Sequence, residues 1–244
     1  MKLIIRYLFI FMTLIFIWQA SVMWWQLPHY LLPSPLRVFT TLYNQFTIIF
    51  TQAIPTIIET LLGFFLGIFF GCLAGLSITF FKPLRFWFWP LLIISQAIPT
   101  FAIAPLLVIW LGYGLASKVA TTILMIFFPI TSAFYDGLRR TSPEWLDLAK
   151  TMNAGKWRLF YYIRMPAALP DLASGIRIAA VTAPIGAIVG EWVGSSQGLG
   201  YLMLNANARM QIDMMFAALL VIIALSLFLY FCVDRLLCTL VTWS

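Results

Sequence analysis

The sequence predicts an all-α integral membrane protein built as a bundle of six transmembrane helices. Of its 244 residues, 63% are hydrophobic and only 9% are charged. The mean hydropathy is +0.98, and a composition of this kind is typical of a chain whose helices are surrounded by lipid. The apolar residues form continuous runs instead of short alternating segments, which favours helices over a β-barrel. Little sequence remains for a soluble unit, so residues 1–244 are predicted to form a single transmembrane domain.

Six apolar runs approach or exceed the roughly 20 residues that a membrane-spanning helix needs. They cover about residues 4–25, 53–79, 86–111, 116–135, 172–193 and 214–237. The first run follows Lys2 and Arg6, as the apolar core of a signal peptide would. It is long, however, and it ends at Trp24 and Trp25, where an aromatic belt would anchor a retained helix. We therefore expect this helix to be retained, with cleavage as the alternative.

Basic residues are distributed unevenly between the two ends of the predicted helices. When the N-terminus is placed inside, twelve Lys and Arg residues lie on the cytoplasmic side, and only Arg37, Lys118 and Arg209 lie outside. Membrane proteins keep most of their basic loop residues in the cytoplasm. Both termini are therefore predicted to be cytoplasmic. The net charge of +7 follows from this topology and implies no nucleic-acid partner.

Glycines recur at intervals of four residues in the second and fifth predicted helices. They are Gly63, Gly67, Gly71 and Gly75 in the second helix, and Gly186, Gly190 and Gly194 in the fifth. Residues four apart lie on one face of a helix, and small residues on one face allow two helix backbones to approach closely. The pattern predicts tight helix packing within a subunit or between subunits.

Two carboxylates, Glu59 and Glu191, lie inside apolar runs on the same helices. A charged group within the membrane is energetically costly and is therefore a functional candidate. Both residues are predicted to lie within a turn or two of the outer boundary, where water can solvate them. Two interpretations stay open: an interfacial or helix-bridging carboxylate, and a residue of the translocation path or of a gate.

The third predicted helix is interrupted by Pro90, Pro99 and Pro105, and it carries Gln96 and Thr100 near its middle. Proline removes backbone hydrogen bonds, and the carbonyl groups that are freed need partners in protein or water. A kinked helix with polar groups at mid-depth is a candidate wall of a translocation path. A purely structural kink explains the pattern equally well.

The loop between the fourth and fifth helices, about residues 137–171, concentrates charge in a chain that has little of it. Ser142 is typical of a helix N-cap, and Glu144 suits the first helical turn. The predicted helix ends near Met152, because Asn153 and Gly155 both tolerate the left-handed conformation of a helix stop. A pair of surface helices and a docking site for a soluble partner both fit this pattern.

A second short helix is predicted over Lys156–Met165, and it is expected to stop at Pro166. Trp157, Tyr161 and Tyr162 would place it at the level of the lipid headgroups.

This loop resembles that of the permease subunits of binding-protein-dependent ABC importers. Their signature is Glu-Ala-Ala, three residues, Gly, nine residues, and Ile-x-Leu-Pro. It maps here onto Asp147-Leu148-Ala149, then Asn153, then Ile163-Arg164-Met165-Pro166, with the spacing intact. The departures are Asp for Glu, Leu for Ala, Asn for Gly and Met for Leu, each similar in chemistry to the residue it replaces.

In the family, the loop forms a coupling helix that sits in a groove of the ATP-hydrolysing subunit. The resemblance therefore implies a set of coupling residues, namely Glu144, Asp147, Leu148, Ala149, Asn153, Ala154, Gly155, Ile163, Met165 and Pro166. It also implies that ATP is used by the partner and that this chain binds no cofactor. The sequence agrees, since it contains no Gly-x-x-x-x-Gly-Lys-Ser/Thr phosphate loop.

The resemblance extends over essentially the whole chain. The six-helix layout, Leu32-Pro-Ser-Pro35, Glu191-x-x-Gly194 and Gly198-Leu-Gly200 are similar to the branch that transports nitrate, sulfonates and taurine. That branch includes permeases for pyrimidine precursors of thiamine. The resemblance implies a type I importer fold in the bacterial inner membrane. It also implies an assembly of two copies of this chain, two ATPases and one extracytoplasmic binding protein that delivers a small solute.

Two other classes of function fit the sequence less well. An ion-coupled secondary transporter would favour paired acids and bases at mid-depth and an inverted repeat, and no repeat is evident. An intramembrane enzyme would need catalytic partners for His29, which is the single histidine. No His-Glu-x-x-His motif occurs, and no catalytic or metal-binding residue is predicted.

Overall fold

The computed structural model describes residues 2–26 and 28–241, and over these residues the chain is almost entirely helical. The helices are α1 (Lys2–Trp24), α2 (Pro35–Asn44), α3 (Phe46–Phe80), α4 (Lys82–Ala97), α5 (Thr100–Leu111), α6 (Leu115–Arg139), α7 (Pro143–Thr151), α8 (Lys156–Leu159), α9 (Met165–Gly194), α10 (Leu199–Ala208) and α11 (Ile212–Leu240). A π-helical turn, Phe160–Arg164, joins α8 to α9. The first and last residues, predicted to be cytoplasmic, lie outside the described residues.

Four helical segments of the described chain are long and apolar enough to cross a membrane. They are Phe46–Phe80, Leu115–Arg139, Lys156–Gly194 and Ile212–Leu240. The pair α4 and α5 makes a fifth candidate if it counts as one span, although it is bent by 105°. The apolar stretch Met12–Trp24 of α1 is shorter than these spans. The all-helical membrane fold is thus confirmed, whereas the count of six spans stays a prediction.

The third predicted span breaks where two residues leave the helix, Ile98 and Pro99. A residue before proline is driven out of the helical conformation, and Ile98 accordingly has φ −88° and ψ 119°. Pro90 and Pro105 lie inside α4 and α5 and do not end them. One proline of the three therefore produces the sharp bend.

The predicted stop at Pro166 is wrong, because the helical path continues from Lys156 to Gly194. Pro166 lies in the first turn of α9, directly after the π-helical turn. In that turn the backbone N–H of Met165 donates to the carbonyl of Phe160, five residues back. The wider turn accommodates a proline that an uninterrupted α-helix would exclude.

The segment before α3 contains the short helix α2, although two prolines, Pro33 and Pro35, lie at its start. Pro35 occupies the first helical position, where a missing N–H group costs nothing. Ser34 is the N-cap, and its side chain accepts a hydrogen bond from the backbone N–H of Arg37.

Helix α6 lies between α3 and α9 and forms the most extensive contacts of the bundle with them. On the α3 side, each of the four regularly spaced glycines faces one side chain of α6. These pairs are Gly63 with Thr122, Gly67 with Ile126, Gly71 with Ile130, and Gly75 with Phe134. On the other side, Gly186 of α9 lies against the backbone of Thr122, and Gly190 lies against that of Lys118. The glycines therefore bring the backbones of α6 and α9 together, and they let side chains of α6 rest directly on the backbone of α3.

Candidate functional site

A cavity of about 1110 Å³ opens at the end of the bundle where α3 and α6 begin and α9 ends. Helix α7 follows the other end of α6, so the cavity and α7 lie at opposite ends of the bundle. Three aromatic rings line the cavity, those of Tyr113, Trp192 and Tyr201. Two amide side chains, Gln197 and Asn205, also line it. We call this space the outer cavity.

A buried ion pair forms part of the wall of the outer cavity. The Nζ atom of Lys118 donates to Oε1 of Glu59 over 2.8 Å, and the two residues are only 4% and 1% exposed. The expectation that water solvates Glu59 is therefore wrong, because α6 covers this carboxylate and supplies its counter-charge. The second carboxylate oxygen, Oε2, has no hydrogen-bond partner among the described residues.

The sequence contained a signal for this ion pair that the prediction missed. Gly63 packs against Thr122, and the residues four positions earlier on the two helices are Glu59 and Lys118. Positions four apart recur on one helix face, so the glycine stripe itself brings the two charges together. The topology prediction placed Lys118 outside the membrane, and its pairing with Glu59 was therefore not predicted.

Glu191 is also buried, with 1% of its surface exposed, and it too was expected to be solvated. Its carboxylate accepts hydrogen bonds from the Oγ1 hydroxyl of Thr56 and from the backbone N–H of Gly200, both over 2.5 Å. The Thr56 hydroxyl in turn accepts from the backbone N–H of Leu199 over 2.9 Å. Glu191 therefore joins α9, α3 and the start of α10.

The loop before α10 is tied to α3 by a further contact at Gly198. The backbone N–H of Gly198 donates to Oε1 of Gln52 over 2.6 Å. Gly198 has a φ of +113°, which favours glycine, and a β-carbon at this position would overlap the carboxylate of Glu191. The Gly198-Leu-Gly200 motif thus allows a backbone to approach a buried acid, and sequence reasoning did not find this role.

The charged residues that line the outer cavity are two carboxylates, Glu59 and Glu191, and one ammonium group, Lys118. The ammonium group of Lys118 is already paired with Glu59, so no unpaired cationic side chain lines the outer cavity among the described residues. Gln96 and Thr100, predicted as path residues, do not belong to this group. They flank the bend between α4 and α5, where Gln96 is exposed and Thr100 is half-buried.

At the opposite end, α7 ends in a defined helix stop. Asn153 has a φ of +56°, and its N–H donates to the carbonyl of Lys150. The N–H of Ala154 donates to the carbonyl of Ala149 over 2.9 Å. This pair of bonds is the Schellman arrangement, so Asn153 takes the left-handed position. Gly155 has a φ of −64°, and the hydroxyl of Ser142 makes no capping bond.

The coupling residues that were predicted from the resemblance surround this helix. Leu148 and Met152 expose 60% and 76% of their surface, while Ala149 is buried. Asp147 is exposed and pairs with Lys150 over 2.8 Å. A groove of about 1140 Å³ runs beside α7, and Ala154, Ile163 and Pro166 line it. The chain thus presents apolar and charged groups together at this end.

The sequence matches the family model of the binding-protein-dependent transport system inner membrane component over residues 63–240. It is 52% identical to a probable ABC transporter permease protein of Haemophilus influenzae, over 92% of each chain. It is 37% identical to the formylaminopyrimidine transport permease protein ThiX of Halalkalibacterium halodurans, over 96% of this chain and 93% of that one. It is 34% identical to the riboflavin transport system permease protein RibX of Chloroflexus aurantiacus, over 96% and 88%.

Solved structures of ABC transporters share the fold. A crystal structure of an amino acid ABC transporter superimposes with a TM-score of 0.67 at 14% identity, covering 84% of this chain and 97% of that chain. An inward-facing structure of the MetNI methionine ABC transporter gives a TM-score of 0.61 at 20% identity, covering 74% and 92%.

The chain belongs to the family of inner membrane components of binding-protein-dependent transport systems. The predicted class, a membrane-spanning permease subunit of an ABC importer, is thereby confirmed. Membership implies a multi-pass inner membrane protein that works with an ATPase and a solute-binding protein.

Proposed function

We propose that this permease moves a small, uncharged nitrogen heteroaromatic solute of the formylaminopyrimidine kind. The observation that carries this proposal is the composition of the outer cavity, which combines aromatic rings with amide side chains and has no unpaired cationic group among its described lining residues. The cavity faces away from the coupling segment, and it is therefore the end at which a binding protein would deliver solute.

The lining of the outer cavity argues against the other candidate solutes, nitrate and sulfonates. An anion would find no free counter-charge among the described lining residues, because Lys118 is already paired with Glu59. Relatives named for aliphatic sulfonates and taurine are 25–28% identical to this chain, compared with 37% for the relative named for formylaminopyrimidine.

The side chains of the outer cavity suit a planar ring with polar edges. Tyr113, Trp192 and Tyr201 offer faces on which a heteroaromatic ring can stack. Gln197 and Asn205 offer amide donors and acceptors for ring nitrogens and substituents. A few placed polar groups among aromatic walls are typical of small-molecule sites.

We assign Glu59 and Glu191 to the outer gate of the path. The pair between Glu59 and Lys118 links α3 to α6, and Glu191 links α9 to the loop that precedes α10. Opening the cavity towards the membrane interior requires these helices to separate. Polar contacts that form in the closed state and break in the open state hold the gate in one of two discrete arrangements.

In this proposal α7 is the coupling helix that docks on the partner ATPase. Leu148 and Met152 supply exposed apolar contacts, and Asp147 supplies an exposed charge beside them. ATP is bound and hydrolysed by the partner, and this chain binds no cofactor. The assembly contains two copies of this chain and two ATPases, with α1 as the sixth span and both termini in the cytoplasm.

The test is uptake into liposomes that contain the chain, with the ATPase and the binding protein encoded beside it. We expect ATP-dependent accumulation of labelled formylaminopyrimidine and none of taurine. Trp192→Ala and Tyr201→Ala should each lower uptake at least tenfold without changing ATP hydrolysis in the absence of solute. Accumulation of taurine but not of the pyrimidine would refute the proposed solute.

A second arm of this experiment tests the coupling. Replacing residues 147–153 with a Gly/Ser linker should abolish binding of the ATPase and uptake together. Uptake that persists in this variant, or that follows an ion gradient without ATP, would instead favour the ion-coupled secondary transporter.

A further inference from the structure

Three arginines converge on a small cavity at the end of the bundle that carries α7. Arg85 from the first turns of α4, Arg139 from the last turn of α6 and Arg164 from the π-helical turn line a space of about 260 Å³. Tyr135 and Thr79 also line this cavity. No carboxylate is among the described residues that line it. We call the three arginines, Arg85, Arg139 and Arg164, the arginine cluster.

The side chain of Tyr135 holds two of the three guanidinium groups in place. The ring of Tyr135 is 2% exposed and packs against Trp89 with ring centroids 4.7 Å apart. The guanidinium carbons of Arg85 and Arg139 lie 5.7 and 5.5 Å from the centre of this ring. Arg139 also donates to the Tyr135 hydroxyl over 3.3 Å. Cation–π contacts of this kind position cations without neutralising them.

The arginine cluster has no carboxylate partner among the described residues, whereas two other arginines of the bundle each have one. Arg37 pairs with Asp213, and Arg177 pairs with Asp234. By contrast, the Nε atom of Arg164 is buried without a hydrogen-bond partner among the described residues. Gathering three cations costs energy that an anion between them would offset. A buried guanidinium donor without an acceptor therefore points to a ligand that supplies oxygen atoms.

The geometry points to a phosphate group as that ligand, and we propose that the arginine cluster is a phosphate-binding site. Guanidinium groups match the tetrahedral oxygens of phosphate by bidentate hydrogen bonds, so three of them can surround one phosphate. The phosphate could belong to an anionic phospholipid or be free in solution.

The position of the cluster favours the headgroup of a phospholipid. Arg85 is followed directly by Phe86 and Trp87, which are each 72% exposed and face lipid near the start of α4. The cavity therefore opens at the depth where the apolar surface of the bundle begins. Basic pockets between membrane helices at this depth are suited to anionic headgroups.

The test is native mass spectrometry of the purified full-length chain after titration with phosphatidylglycerol, phosphatidylcholine or inorganic phosphate. Phosphatidylglycerol should be retained in preference to phosphatidylcholine. Arg164→Gln should weaken this retention roughly tenfold, as expected for the loss of a charge-assisted hydrogen bond. Arg164→Lys keeps the positive charge but loses the bidentate guanidinium. Its retention of phosphatidylglycerol should lie between that of the unsubstituted chain and that of Arg164→Gln. The matched control is Arg140→Gln, which removes an exposed arginine next to the cluster but not lining its cavity.

Each outcome of the titration has a defined meaning. Retention of phosphatidylglycerol that depends on Arg164 identifies the lipid as the source of the phosphate. Binding of inorganic phosphate that depends on Arg164, without selective lipid retention, supports the site and assigns free phosphate as the ligand. Equal losses in Arg164→Gln and Arg140→Gln, or no loss in either, would overturn the proposal. Tyr135→Phe, which keeps the ring, provides a folded second variant and should weaken binding less than Arg164→Gln.

Discussion

Replacing Lys118 with methionine should destabilise the bundle by an amount that the geometry allows us to estimate. The substitution keeps a long apolar stem but leaves the carboxylate of Glu59 without its 2.8 Å partner. The side chains of Lys118 and Glu59 are 5% and 2% exposed, so water cannot replace the lost charge. Removing one member of a buried pair costs roughly 3–5 kcal/mol, because the remaining charge stays desolvated.

The assay is a double-mutant cycle on the melting temperature of the purified chain in one detergent. Lys118→Met should lower the melting temperature strongly, and Glu59→Gln in the same chain should recover most of the loss, because a neutral pair buries no net charge. Arg37→Met is the matched control. Its partner is Asp213, but their side chains are 48% and 20% exposed, so the expected cost is roughly 0–1 kcal/mol. Equal small effects of both lysine and arginine substitutions would refute the reasoning.

Three further substitutions test the packing, the helix stop and the pinned loop. Gly190→Ala places a β-carbon about 2.9 Å from the Lys118 backbone, which should cost about 1–3 kcal/mol in thermal stability, whereas Gly155→Ala, with no atom within 4 Å, should be neutral. Asn153→Val should lower solute-stimulated ATP hydrolysis of the reconstituted complex while Asn153→Gly preserves it, because φ is +56°. Glu191→Ala should speed amide hydrogen exchange at Gly200 roughly tenfold or more, since the acceptor of its N–H is lost.

Each of these three expectations has an outcome that would contradict it. Equal melting temperatures for the two alanine variants would show that α6 and α9 have room to separate. Full ATP hydrolysis in Asn153→Val would mean that the stop of α7 is not needed for coupling. Unchanged exchange at Gly200 would mean that the loop before α10 is held by Gln52 and Thr56 alone.

Much of the fold could be predicted from sequence because apolar length and glycine spacing are local signals. Continuous hydrophobicity predicted the four long apolar helices of the described chain, and the end of α7 was expected at Asn153 or Gly155 from their backbone preferences. The pairing of Glu59 with Lys118 was missed, because it depends on the register between two helices and joins residues that are 59 positions apart in sequence. Register follows from which glycine meets which side chain, and a hydropathy profile does not contain that information.

The same limit explains the arginine cluster and the stop that was wrongly predicted at Pro166. Arg85, Arg139 and Arg164 were counted as separate inside charges, since topology rules treat loops one at a time. Their meeting depends on Tyr135, a buried ring that composition alone does not distinguish from other core residues. Pro166 was read with the ordinary α-helical rule, which does not anticipate a π-helical turn before it.

The two ends of the bundle are connected by one helix that has little freedom to deform. Helix α6 has 25 residues, which corresponds to a length of roughly 37 Å at about 1.5 Å per residue. Lys118 lies near its start at the outer cavity, and α7 begins four residues after its end at Arg139. Because the glycines place α6 directly against the backbones of α3 and α9, little free volume remains in which a displacement at α7 could be absorbed by rotamer changes. Movement of the coupling segment must therefore either carry α3 and α9 along with α6 or break the contact between Lys118 and Glu59, and in both cases the outer cavity changes shape.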